Sequence, residues 1–205
     1  MISILNFQLS IFEIIGAVIG LAYIVSEYRA DRWFWPLSLL MSAFYIVIDF
    51  TSGIYANGAI CCYNFIMSIY GILVWRGILG RKDKAERPIG SCPRRYWPWL
   101  ILAVAVLSVA LWDILRHLPN ESAYPVVDGI SSALTIVTMW MLSRKYWQQW
   151  IGWMIVEPLM ITLFILTGNY ASAILYSVFE VFCVLGIIRW RKESLKQSDN
   201  PIIKK

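Results

Sequence analysis

Charge is scarce in this sequence, and histidine almost absent. Of 205 residues only 15% are Asp, Glu, Lys or Arg, and the one histidine is His117. A single imidazole argues against a histidine proton relay. No Ser/His/Asp set, phosphate-cradling glycine loop or His/Cys metal cluster can be assembled from the remaining residues, so neither an enzyme nor a cofactor is expected. The four cysteines show no zinc-like spacing. Cys61, Cys62 and Cys183 lie in apolar stretches and Cys92 in a basic one, so they read as small apolar residues rather than a disulfide framework. No cleavable leader precedes the first apolar stretch, which is expected to remain as an anchor.

Apolar surface is abundant. Hydrophobic residues make up 59% of the chain, mean hydropathy is +0.62, and there are eleven Trp and eleven Tyr. A soluble domain of this size has no interior large enough for that content, whereas a bilayer does, and its interfaces favour amphipathic rings. The net charge of +5 does not imply a nucleic-acid partner, because the Lys and Arg concentrate in two segments between or after apolar runs.

Seven stretches approach the roughly 20 residues that cross a bilayer: 11–28, 33–50, 55–75, 98–115, 126–142, 149–166 and 170–188. The first is expected to end in a loop carrying Arg29 and Arg32. The segment 76–97 is a basic loop and 189–205 a basic tail. Basic loops follow the first, third, fifth and seventh spans, and Arg116 is the one arginine at the opposite side. The positive-inside rule then predicts an external N-terminus and a cytoplasmic C-terminus in a bacterial inner membrane.

The stretch beginning Tyr55-Ala56 returns at Tyr170-Ala171, 115 residues later, and the same offset pairs Gly71 with Gly186, Trp75 with Trp190, Arg76 with Arg191, Trp35 with Trp150 and Arg29 with Arg144. The chain reads as two copies of a three-span unit (11–75 and 126–188). The unpaired span 98–115 restores the direction of the second copy. This is a 3+1+3 arrangement of parallel repeats, all-α and SWEET-like.

Polar residues inside the spans are candidates for a ligand site, because each is costly there unless paired, hydrated or protonated. Glu157 and Glu180 lie deepest. Glu13 and Asp128 are expected to cap helices at the outer ends, and Asp49 to anchor at the surface. Trp150, Trp153 and Glu157 are three and four residues apart, hence on one helical face, with Gln149 beside them. Two indoles, an amide and carboxylates suit a flat, cationic heterocycle through stacking and two-point hydrogen bonding. Trp147 is expected at the interface. Asn57, Cys62, Tyr63, Asn64 and Tyr70 of the third span, and Tyr176 of the seventh, complete the candidate set.

Trp33-x-Trp35-Pro36, Tyr55-Ala56-Asn57, Tyr63-x6-Tyr70-Gly71-x3-Trp75, then Asp128, Gln149-Trp150-x-x-Trp153 and Gly186-x3-Trp190 resemble the PnuC family of vitamin transporters across residues 13–191. The resemblance implies facilitated uptake of nicotinamide riboside, with trapping by a cytoplasmic kinase, and a homotrimer in the bilayer. Relatives carrying thiamine or riboflavin supply the alternatives, thiamine first. The chain departs from the family pattern at Asn57, Cys61-Cys62, Gln149 and Glu157. The reading from a different class is a non-transporting membrane subunit or receptor, with the aromatics as interfacial belts.

Overall fold

The computed structural model of the protein describes residues 11–52, 55–79, 87–118 and 124–198, without the side chains of 11–17, 48, 49, 52, 56, 57 and 198. Seven α-helices make up these residues: α1 Ile11–Arg29, α2 Phe34–Ser52, α3 Tyr55–Trp75, α4 Trp97–His117 behind a 3-10 turn at Arg94–Tyr96, α5 Pro125–Ser143, α6 Gln149–Leu166 and α7 Tyr170–Ser198. Five of them (α3 to α7) contain segments long and apolar enough to cross a membrane, and α2 carries a shorter apolar run, Phe34–Val47. Two boundaries differ from expectation in ways that matter. Helix α7 continues through residues 189–198, expected as tail, because no Gly or Pro interrupts Arg189–Ser198 and its residues are mostly good helix formers. Helix α1 runs to Arg29, one residue past the expected end of the span, which leaves Glu27 in its last turn.

The helices close a ring. α2 packs on α3, α3 on α5, α5 on α6, α6 on α7, α7 on α1 and α1 on α2, while α4 packs against α5. Equivalent contacts recur at the 115-residue offset. Trp35 and Trp75 meet edge to face at 5.5 Å and 85°, and Trp150 and Trp190 at 5.7 Å and 85°. Gly71 lies where any Cβ would strike the Trp35 indole, and Gly186 where one would strike Trp150. An indole against helix backbone requires this absence of a side chain, which explains the Gly-x3-Trp spacing.

The short turns match as well. Ala30 and Lys145, with φ of 54° and 51°, are the non-glycine residues of positive φ among those described. Each turn is fixed by the same pair of bonds: Ala30 N to Glu27 O and Asp31 N to Ser26 O, against Lys145 N to Leu142 O and Tyr146 N to Met141 O. The Lys145 ammonium, itself buried, lies 4.3 Å from the Trp75 ring centroid.

The described end of the basic loop, 87–96, is a strap across the second turn only. Gly90 N donates to Lys145 O at 2.9 Å and Trp147 N to Gly90 O at 3.0 Å. Cys92 N donates to Gln148 Oε1, Gln148 Nε2 to Ser91 Oγ, and Arg87 Nε to Arg144 O. Backbone pairing and side-chain hydrogen bonds together order the strap, and among the described residues no ion pair does.

Candidate functional site

The ring encloses a cavity of about 600 Å³, enough for a ligand the size of a nucleoside. Side chains of α1, α3, α5, α6 and α7 line it, joined by Leu111, Ile114 and Leu115 of α4. The connecting helix is thus part of the wall. Its polar lining is uneven. α5 presents Asp128, Ser131, Ser132 and Thr135, spaced as one helical stripe; α1 presents Tyr23 and Glu27; α6 presents Trp153 and Glu157; α3 contributes Asn64 and α7 Tyr176. The lining includes three acids and neither Lys nor Arg.

Several polar atoms around this space are buried without a hydrogen-bond partner: Glu27 Oε1, Asn64 Oδ1, both side-chain atoms of Gln149, Trp153 Nε1, Glu157 Oε2 and Glu180 Oε2. Glu27 is 1% exposed and Gln149 fully buried. Burying a polar group without a partner costs roughly 1–3 kcal/mol, and here donors and acceptors occur together around one cavity. The Gln149 amide and Trp153 indole N–H are the polar neighbours of the Glu27 carboxyl, yet none makes a bond of good geometry. Pro158, inside α6 next to Glu157, removes one backbone hydrogen bond from that turn.

Outside the cavity lining, an aromatic cluster packs between the halves. Phe34 packs on Trp35 and Trp75 at 4.8 and 5.9 Å, Trp75 approaches Trp190 at 6.5 Å, and Trp190 meets Trp150. Two indole hydrogen bonds cross between the halves here: Trp75 Nε1 to Leu142 O at 3.2 Å and Trp190 Nε1 to Tyr28 O at 2.9 Å. Both acceptors belong to the last turn of a helix, where carbonyls lack partners within the helix.

The sequence-predicted residues divide accordingly. Trp153, Glu157, Asn64 and Tyr176 line the cavity, with Gln149 buried at its edge beside Glu27. Glu180 is half-buried outside the lining, with Oε2 lacking a hydrogen-bond partner. Trp150 does not line it; the indole is fully buried against Gly186 and Trp190. Tyr63 is spent on α5, donating to Ile136 O at 2.7 Å, and the Tyr70 hydroxyl accepts from Arg144. Cys62 is half-buried outside the lining. The side chains of Asn57, Glu13 and Asp49 lie outside the described residues. Asp128, expected as a cap, does sit in the first turn of α5 but also lines the cavity. Trp147 is half-buried under Arg191 and donates to Ser91.

Sequence reasoning missed Glu27, Tyr23 and the α5 hydroxyl stripe. The four-residue step from Tyr23 to Glu27, and the 128–131–132–135 pattern, carry the helical period that would have found them.

A family model described as nicotinamide mononucleotide transporter matches residues 10–192. The nicotinamide riboside transporter PnuC of Escherichia coli (strain K12) is 25% identical, the alignment covering 90% of this chain and 87% of that protein. The riboflavin/roseoflavin transporter RibM of Streptomyces davaonensis is also 25% identical, over 91% and 87%. The crystal structure of the vitamin B3 transporter PnuC superposes with a TM-score of 0.71 at 22% identity, covering 90% of this chain and 82% of that one, so the fold is shared. The resemblance carried by Trp35-Pro36, Tyr70-Gly71-x3-Trp75 and Gln149-Trp150-x-x-Trp153 is borne out: the chain belongs to the nicotinamide mononucleotide transporter family, which includes the PnuC transporters.

Proposed function

We propose that this protein carries a cationic vitamin-type nucleoside, nicotinamide riboside as first choice, down its gradient across a bacterial inner membrane, and that cytoplasmic phosphorylation then traps it. The observation that carries the substrate class is the cavity lining, with Glu27, Asp128 and Glu157 and no basic residue. A site of that charge stabilises a fixed positive ring, and the Trp153 indole offers a face for it. The unpartnered Glu27, Gln149 and Trp153 atoms supply acceptors and donors for a carboxamide edge. The names of the PnuC relatives support the same reading. The riboflavin reading, supported by one relative, fits an acid-lined cavity less well because isoalloxazine is uncharged. Thiamine is the second reading, favoured because a carboxylate such as Glu27 or Glu157 pairs with an aminopyrimidine.

The matched turns, Gly–Trp contacts and helix starts at the 115-residue offset support a 3+1+3 parallel-repeat, SWEET-like arrangement of seven spans. A homotrimer is part of the proposal by family analogy.

The test is a binding screen of the purified protein against nicotinamide riboside, thiamine and riboflavin, with Glu27→Gln in parallel. Wild type binds a cationic ligand in preference to riboflavin. Loss of one charge-assisted interaction weakens the cation by about tenfold to a hundredfold and leaves riboflavin little changed. Tight riboflavin binding, unaffected by Glu27→Gln, sinks the cation reading.

A further inference from the structure

The two short turns are alike in backbone but not in what covers them. The second, Arg144–Trp147, is occupied: Gly90 takes up Lys145 O and Trp147 N, and the Arg144 guanidinium donates to Tyr70 and lies 4.8 Å from the Trp140 ring centroid. The equivalent atoms of the first turn, Ala30 O and Arg32 N, make no hydrogen bond among the described residues. Over them lies an open pocket of about 510 Å³ lined by Arg29, Ala30, Asp31, Arg32 and Arg189.

Its charge is unbalanced. Three arginines and one aspartate line it, and among the described residues none of the three arginines forms an ion pair. Arg189 is steadied by the Tyr28 ring, 4.7 Å away, which leaves its N–H fork available. The single acid is partly committed, since Asp31 Oδ1 accepts from Trp33 N. Guanidiniums around one pocket can match the oxygens of a phosphoryl group, two N–H donors at a time. An unbonded backbone N–H in an αR–αL turn adds a donor of the kind that builds anion nests.

We propose that this pocket, at the basic end of the first half, is a binding site for a phosphate ester, distinct from the cavity. Two sources share that chemistry: the headgroup of an anionic phospholipid in the adjoining leaflet, and a soluble nucleoside monophosphate. The site stands whichever vitamin the cavity takes, because none of its residues lines that cavity.

The experiment uses the full chain in phosphatidylcholine nanodiscs for AMP binding, and in nanodiscs containing phosphatidylglycerol for native mass spectrometry of retained lipid. Binding in either arm identifies the source. Arg29→Gln/Arg32→Gln/Arg189→Gln then weakens that binding at least tenfold, as expected for loss of several charge-assisted bonds. Arg94→Gln/Arg95→Gln, which removes exposed cations outside the pocket, leaves it unchanged. Asp31→Asn keeps the Trp33 hydrogen-bond acceptor, removes the opposing charge and strengthens binding; it also serves if the triple variant fails to fold. Absence of binding in both arms overturns the proposal. So does equal weakening by the Arg94/Arg95 variant, or an Asp31→Asn protein that binds no better than wild type.

Discussion

Trp150 and Trp153 are three residues apart on α6, yet they do different work. A helical period puts both indoles on one face, and the sequence pattern cannot separate them. Gly186 does: it opens a slot that the Trp150 ring fills, while Trp153 reaches the cavity with an unpartnered N–H. Trp150→Ala is therefore expected to cost about 3–5 kcal/mol of stability, the range for an emptied aromatic site, and to lower the melting temperature sharply. Trp153→Ala, at a partly buried ring, should lower melting less than Trp150→Ala and weaken ligand binding by a cation–π contact of about 2 kcal/mol. Thermal unfolding and binding, measured on both variants, check this; a Trp150→Ala protein of normal stability would contradict it. Tyr63 and Tyr70 teach the same lesson, since only their distant partners, Ile136 and Arg144, reveal that their hydroxyls are engaged.

At the scale of elements, helix existence was legible almost throughout, because long apolar runs bounded by Gly, Pro and charge leave few alternatives. The strap was not. Residues 87–96 are basic and Pro-rich, and their order comes from backbone pairing and side-chain hydrogen bonds with a turn more than fifty residues away. Gly90 separates two explanations of that order. A Cβ there meets nothing within 4 Å, and its φ is not in the left-handed region, so Gly90→Ala should be neutral. Gly90→Pro removes the donor to Lys145 O and should loosen the strap by about 1 kcal/mol. Cys92 reports the difference. Burial pushes its thiol up from the ordinary value, and nearby Arg144 offsets this only partly. The reactive thiolate is therefore scarce at neutral pH and grows as pH rises. Maleimide labelling of Cys92 should be slow in wild type and Gly90→Ala and faster in Gly90→Pro. Equal rates in all three would show that the bridge does not hold the strap.

For the whole molecule, the residues paired at the offset of 115 include those that make matching turns and matching Trp–Gly contacts. The offset did not forecast the uneven cavity, because Glu27 corresponds to Leu142 and Gln149 to Phe34: the halves share a scaffold and diverge where the ligand would sit. Charge alternation predicts that a reporter fused after Lys205 reads cytoplasmic; an external reading would overturn the assigned orientation. With one histidine in the chain, proteoliposomes lacking a kinase should equilibrate the ligand and then stop, and accumulation driven by an imposed ion gradient would refute downhill carriage. The indole bonds from Trp75 to Leu142 and from Trp190 to Tyr28 have a kinetic meaning beyond packing. A ligand leaving at the basic end is expected to require that they open, so they would contribute to the height of that barrier. Trp75→Phe keeps a ring in the cluster and deletes the N–H, and should accelerate uptake severalfold at unchanged affinity, as a latch filed down rather than a site spoiled.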